Sequence, residues 1–116
     1  MFISDFVDTF SVESNSLSGS VPSHLGMLTK LSASFLLNDN KLVGLGQLAL
    51  PTQLGRLSEM KSHFMVNKNS LQGGLPAQLS SLSKMTAHFA VSDNAELCEV
   101  IPPGVAALSS QVRLRG

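Results

Sequence analysis

The stretch NSLQGGLPAQLSSLSKMTAHFAVSDN, from Asn69 to Asn94, decides the fold that the sequence predicts. It begins and ends on asparagine, and its only proline is followed by a leucine or methionine at every third residue. These apolar residues are Leu79, Leu82 and Met85. An α-helix buries residues three and four apart, whereas a strict spacing of three matches a turn of three residues. The stretch therefore predicts a short 3₁₀ helix or an irregular return between two turns.

The same frame recurs along the chain. Its asparagines are Asn15, Asn40, Asn69 and Asn94, which are spaced by 25, 29 and 25 residues. A phenylalanine lies five residues before each of them, and a valine or leucine lies three residues before. Three prolines share a second frame, with leucine at +3 and +6, leucine or methionine at +9 and phenylalanine at +13; they are Pro22, Pro51 and Pro76. This register indicates an internal repeat with equivalent copies.

The repeat divides the 116 residues into copies of a single domain. A partial first copy (1–14) precedes copies at about 15–39, 40–68 and 69–93, and a degenerate copy (94–116) ends the chain. Four additional residues fall in GLGQLALP, between Gly44 and Pro51. This insertion either projects as an apolar lip around Leu45 to Leu48 or, as is usual in repeats, folds back as a surface loop.

Each copy contains Phe-x-Val or Phe-x-Leu, which places two large side chains on one face of a strand. Stacked copies would pair these strands in parallel about 4.8 Å apart and align the phenylalanines in one core column. The turn after each strand leaves backbone N–H and C=O groups near the interior. An asparagine amide satisfies both because it donates and accepts, so a second column of asparagines is expected. Exposed turn asparagines are the alternative.

The segment NSLSGSVPSHLGML, from Asn15 to Leu28, resembles the plant-specific leucine-rich repeats, whose motif reads Asn-x-Leu-x-Gly-x-Ile-Pro-x-x-Leu-Gly-x-Leu. LPTQLGRL (50–57) and LPAQLSSL (75–82) repeat its second half, and the resemblance covers almost the whole chain. The sequence differs from the family motif in three ways. It has one additional residue before the strand phenylalanine, and it has phenylalanine where the family commonly has leucine. In the last copy, Cys98 and Glu99 take the place of a glycine. The resemblance implies an α/β solenoid: a right-handed leucine-rich repeat coil with one short parallel strand per copy and short helical or irregular returns.

Residues that alternate with the buried phenylalanine and valine are expected on the concave strand face, which resembles the usual ligand-binding face of the family. They vary in type while the core frame stays constant, which is typical of a scaffold that presents different chemistry. Leu36 and Met65 are expected to be neighbours and to form the main apolar contact. The alternative is that these positions are solvated sheet surface and bind no ligand. The predicted ligand-binding residues are Ser11, Glu13, Leu36, Asn38, His63, Met65, Asn67, His88, Ala90 and Ser92.

His63 and His88 directly precede the strand phenylalanines of two copies, so their rings are expected to be stacked neighbours. Zn²⁺ ordinarily takes three or four protein ligands, and no carboxylate or thiolate has an obvious third place beside them. The pattern favours packing or a pH-sensitive surface over metal binding. The sequence predicts no cofactor.

Eight basic and eight acidic residues balance, which argues against nucleic acid or an anionic membrane surface as partner. No nucleophile elbow, phosphate loop or zinc-protease motif occurs, so an enzyme is not predicted. The glycines of QGGLP at 72–76 are interpreted as turn residues and not as a phosphate loop. Cys98 is the only cysteine and is expected to be a buried small residue. No apolar run is long enough to insert in a membrane, and Asp5 and Asp8 interrupt the apolar N-terminus, which therefore reads as folded chain rather than a signal peptide.

We expect a protein- or peptide-binding interaction module with a signalling or receptor-like role. The alternative is a structural segment of a larger receptor or sensor in which the ligand is met elsewhere. The family's paired-cysteine caps are missing, which favours a fragment of a longer array and self-association through uncapped ends. The location is unknown: the chain by itself weakly favours the cytoplasm, and a receptor fragment would be extracellular or membrane-tethered.

Overall fold

The computed structural model describes residues 8–97 and 102–106. It is a small α/β fold with parallel strands in two sheets and short helical turns. The larger sheet contains, in this order, β1 (Thr9–Ser11), β3 (Ser34–Leu36), β5 (Ser62–Met65) and β6 (Ala87–Ala90). The smaller sheet pairs β2 (Ser18–Ser20) with β4 (Lys41–Val43). Neighbouring strands in each sheet come from successive copies of the repeat. The larger sheet is the predicted one, whereas the smaller sheet corrects the prediction of one strand per copy, because copies 15–39 and 40–68 each contain two strands.

The core is built on the predicted phenylalanine column. Phe10, Phe35, Phe64 and Phe89 occupy one register across the larger sheet. Successive ring centroids are 5.9, 5.2 and 4.9 Å apart and the ring planes are nearly parallel. The last three rings have no exposed surface, whereas Phe10 at the first strand is half-buried. One copy therefore buries its aromatic ring against the next, as stacked units require.

Three 3₁₀ helices follow the prolines, at Ser23–Met27, Thr52–Arg56 and Ala77–Ser81. The N–H of Leu25 bonds to the carbonyl of Pro22 at 3.2 Å, and the bonds from Leu28 to Leu25 and from Leu31 to Leu28 continue the spacing of three. Equivalent bonds recur after Pro51 and Pro76. Every third side chain then points to the same edge, where these leucines and methionines are buried. The predicted three-residue turns are confirmed.

The last described segment follows the same frame. Helix α1 (Pro103–Ala106) comes after Pro102, and Val105 is buried and donates its N–H to the Pro102 carbonyl at 2.9 Å. The expected burial of Cys98 lies outside the described residues. Among residues 8–97 and 102–106, the longest helices have five residues, far fewer than a bilayer crossing requires.

The asparagines form the expected second column. Asn40, Asn69 and Asn94 are buried, and each donates its amide to carbonyls of its own turn and of the equivalent turn before it. Each also accepts the N–H of a residue of the preceding copy: Leu17, Leu42 or Leu71. Asn15 is exposed but still donates to the carbonyls of Val12 and Glu13.

The insertion folds back as a two-residue hairpin. Leu45 and Leu48 exchange both backbone hydrogen bonds, at 3.0 and 3.3 Å, across a turn in which Gly46 has a φ of 64°. That left-handed φ suits glycine at the first central position of the turn. The Gln47 carbonyl accepts the N–H of Gly74 at 2.9 Å, which attaches the hairpin to the following copy. The backbone is thus folded back, whereas the Leu45 side chain remains 77% exposed.

Candidate ligand-binding face

The larger sheet has one face on the phenylalanine column and an opposite face, here called the outer sheet face. The strand register places four predicted residues in one row across it, namely Ser11, Leu36, Met65 and Ala90. Backbone hydrogen bonds continue beyond the strands and carry a second row two residues later: Glu13, Asn38, Asn67 and Ser92. The alternation predicted from Phe-x-Val therefore places these eight residues on the same side of the sheet.

Leu36 and Met65 form the apolar centre of the first row. They are direct partners in the parallel pair of β3 and β5, and both side chains are half-buried. Ser11 is exposed at one end of the row, and Ala90 is half-buried at the other. The predicted neighbourhood of Leu36 and Met65 is confirmed, and it leaves a narrow apolar strip between two small residues.

Asn38 and Asn67 carry the polar chemistry of the second row. Their backbone carbonyls accept N–H groups from Ser14 at 3.1 Å and from Asp39 at 3.0 Å. Their side-chain Oδ1 atoms are buried and have no hydrogen-bond partner among the described residues. A buried acceptor without a donor costs free energy relative to a hydrated one. These two amides therefore gain from any donor that reaches the face.

Charged residues follow the second row. Asp39, Lys68 and Asp93 are exposed and have left-handed φ values of 61°, 57° and 58°, each directly before a column asparagine. Ser14 holds the same position and donates its hydroxyl to Asp39 at 3.3 Å. Short polar side chains tolerate this conformation best. On the first strand Ser11 donates to the Glu13 carboxylate. The polar edge of the face thus carries three carboxylates and one ammonium group.

Ser92 departs from the prediction because only 7% of it is exposed. It lies in the second row, where the Lys68 N–H bonds to its carbonyl at 3.0 Å, but its side chain does not present a surface. Ser92 remains a predicted ligand-binding residue, with little accessible surface in this structure.

His63 and His88 are stacked neighbours, as expected. Their ring centroids are 4.4 Å apart and the planes differ by 17°. Both backbones are left-handed, with φ of 55° and 59°. Imidazole lone pairs lie in the ring plane, so two nearly parallel rings do not converge on one ion. The Ser62 hydroxyl lies 2.9 Å from His63 Nδ1.

An ion pair that was not predicted from the sequence joins two copies. Lys84 Nζ lies 2.8 Å from Glu59 Oε1, and both side chains are about half exposed. The hydrogen bond from Lys84, together with its charge, lowers the pKa of the Glu59 carboxyl. Both residues stand eight positions after a repeat proline, Pro51 or Pro76. Because stacked copies bring equivalent positions together, this shared position in the repeat could have predicted the ion pair from the sequence.

Comparison with known proteins adds no relative to this description. No family model matches the chain, and neither a curated protein nor a solved structure matches it.

Proposed function

We propose that the chain is a right-handed leucine-rich repeat solenoid whose outer sheet face is the concave surface and binds a protein or peptide partner. The single observation that carries the proposal is the contrast between the two sides of one sheet. The inward positions repeat the same phenylalanine, whereas the outward positions differ from strand to strand. A constant core with a variable accessible face is how repeat scaffolds present binding surfaces.

The apolar strip supports contact with a partner side chain. Leu36 and Met65 are only half-buried although they adjoin one another at the centre of the face. Removing the rest of their surface from water is favourable at roughly 25 cal/mol per Å². Methionine also adapts its shape to different partners because it is unbranched and polarisable. An aliphatic or aromatic side chain is thus the best match to this strip.

The second row supports a peptide rather than a purely apolar ligand. Asn38 and Asn67 have Oδ1 atoms without a donor among the described residues. Rotation of an amide about its terminal torsion exchanges its oxygen and nitrogen, so the oxygen can turn toward a ligand N–H. Backbone N–H groups of an extended peptide supply such donors beside the apolar strip. The face therefore combines an apolar subsite with amides that suit a polypeptide backbone.

The proposal is tested by selecting peptides from a random library on the whole chain and measuring their Kd by fluorescence polarisation. Leu36→Asp and Met65→Asp should each weaken the selected peptides about tenfold or more, because each buries a carboxylate in the apolar strip. Met27→Asp is the matched control, since Met27 is 48% exposed in the first 3₁₀ helix and lies outside the sheet.

Equal affinity of the selected peptides for the wild type and for the double variant Leu36→Asp/Met65→Asp would refute binding at this face. The segment would then be better explained as a structural part of a larger receptor or sensor. Circular dichroism of each variant separates loss of the contact from loss of the fold.

A further inference from the structure

The insertion hairpin forms one wall of a cleft beside the preceding copy. The cleft has a volume of about 540 Å³ and is lined by residues 20–24 of that copy and by residues 45 and 48–53. It lies away from the outer sheet face, since none of its lining residues belongs to the four strands of the larger sheet. None of the residues predicted from sequence to bind a ligand lines it.

A difference in length between two copies creates the cleft. The hairpin is attached to the following copy, through Gln47 to Gly74 at 2.9 Å and through Ala49 to Gly74 at 2.8 Å. The preceding copy is four residues shorter and runs from Gly19 to Pro22 without a hairpin. The hairpin therefore overhangs a neighbour that has no equivalent segment to fill the space.

The cleft has an apolar floor and an uncharged lining. Val21, Ala49 and Leu50 are buried beneath it, and Leu45 stands at its rim as the most exposed of the large apolar residues in the described chain. Serine, threonine and glutamine side chains complete the lining, and His24 is its only titratable group. A charged ligand would lose hydration here without meeting an opposite charge. An uncharged ligand with an apolar group meets no such penalty.

We propose that this cleft is a second binding site, which accepts an aliphatic side chain presented by an uncharged peptide segment of a partner protein. Its volume lies within the range of roughly 300–1,000 Å³ that is usual for small-ligand sites, so it can hold a side chain together with its flanking amides. The aliphatic group covers Leu45 and Leu48, which retain accessible surface above the buried Val21 and Leu50. The Ser23 hydroxyl and the Gln53 amide on the walls can bond to the flanking amides.

The test is a methyl NMR titration of the whole chain with N-acetyl-leucinamide, and with N-acetyl-lysinamide as the charged comparison. The leucine probe should shift the methyl signals of Val21, Leu45 and Leu48 with saturation, and the lysine probe should not. Leu45→Asp should weaken the response about fivefold or more, because it places a charge at the apolar rim. Leu17→Asp is the matched control, since Leu17 is also an exposed leucine but lies outside the cleft.

A second variant removes the cleft without using a charge. Deletion of residues 45–48 converts the segment to NKLVGALP, which has the frame of NSLQGGLP at 69–76. The deletion variant should fold and should lose the response of Val21. Three results would overturn the proposal: no saturable shift in the wild type, an unchanged response in either Leu45→Asp or the deletion variant, or equal weakening by Leu17→Asp. Shifts confined to Leu36 and Met65 would likewise overturn it while supporting binding at the outer sheet face.

Discussion

The side-chain oxygen of Asn69 accepts the backbone N–H of Leu42 at 3.1 Å, although the two residues are 27 positions apart in the chain. The amide nitrogen of Asn69 donates to the carbonyl of Leu37, which lies in the equivalent preceding turn, at 3.0 Å, and to that of Val66 in its own turn at 3.1 Å. One buried side chain thus satisfies backbone groups of two neighbouring copies. The asparagine column thus adds side-chain hydrogen bonds to the backbone hydrogen bonds between turns, such as that from the Asp39 N–H to the Asn67 carbonyl at 3.0 Å.

Asn69→Ala should lower the free energy of unfolding by about 2–3 kcal/mol, because it leaves buried N–H and C=O groups without partners. Urea denaturation followed by circular dichroism measures the change. Asn15→Ala is the control: Asn15 is exposed, and the Val12 carbonyl that it bonds also accepts from Asn40. This control should cost less than about 1 kcal/mol, since its groups can hydrate. Equal losses in the two variants would contradict the role assigned to the buried column.

Phe64→Ala should lower the free energy of unfolding by about 3–5 kcal/mol, because it opens a cavity at the centre of the aromatic column. The ring has no exposed surface and lies 5.2 Å from the Phe35 ring and 4.9 Å from the Phe89 ring, centroid to centroid. Phe64→Leu keeps most of the apolar volume and should cost under about 1.5 kcal/mol. Thermal and urea denaturation of both variants measure the two losses of unfolding free energy. An equal loss in Phe64→Leu and Phe64→Ala would contradict the role of the aromatic column.

Gly73→Ala should be more destabilising than Gly19→Ala. The two glycines hold equivalent positions, four residues after Asn69 and Asn15, and both are left-handed with φ of 90° and 82°. A Cβ on Gly73 would lie 2.6 Å from the Gln47 carbonyl oxygen of the hairpin, whereas a Cβ on Gly19 would meet nothing within 4 Å. Backbone strain should cost about 1–2 kcal/mol in both variants. The steric clash should add about 1–3 kcal/mol to Gly73→Ala.

The deletion of residues 45–48 provides the control for this pair. Without the hairpin the Gln47 carbonyl is absent, so the additional cost of Gly73→Ala should fall to that of Gly19→Ala. Unfolding free energies of the single and combined variants form a double-mutant cycle that isolates the contact. An additional cost that survives the deletion would show that the hairpin carbonyl is not its cause.

Lys84→Gln should raise the pKa of Glu59 toward its ordinary value of 4.5, because the hydrogen bond and charge of Lys84 hold it below that value. A carboxyl whose pKa is lowered in the folded state contributes stability above its unfolded pKa, and the contribution is lost as the pH falls through the folded pKa. The substitution should therefore weaken the acid dependence of unfolding below about pH 4.5. Carboxyl ¹³C NMR titration measures the shift.

Lys61→Gln is the control for the Glu59 titration. Lys61 also lowers the pKa of Glu59, but only through its charge and as a weaker cause than Lys84. Its removal should give a smaller upward shift. A larger shift from Lys61→Gln than from Lys84→Gln would show that the observed ion pair does not govern this carboxyl.

The strands of the larger sheet, the aromatic column and the 3₁₀ turns could be predicted from sequence because each depends on residues that are close in the chain and repeat in register. The smaller sheet was not predicted, because Ser18–Ser20 has no alternation of large apolar residues. Phe-x-Val determines which way a strand faces, and leucines three apart after Pro22 or Pro76 determine the turn. Repetition then converts these local preferences into contacts between copies. The pairing of Leu36 with Met65 and the stacking of His63 on His88 followed from the same register.

Other features depend on distances between residues that the repeat period of the sequence does not determine. The sequence marked a four-residue insertion, but only the folded chain decided that its hairpin attaches to Gly74 and overhangs the preceding copy, since that depends on hydrogen bonds between residues far apart in the chain. Burial of Ser92 likewise depends on the reach of neighbouring side chains. The sequence by itself determined the period and the inward face of each strand, because these are local. The tertiary structure alone decided the cleft and the accessibility of each surface residue, because these depend on how unequal copies fit together.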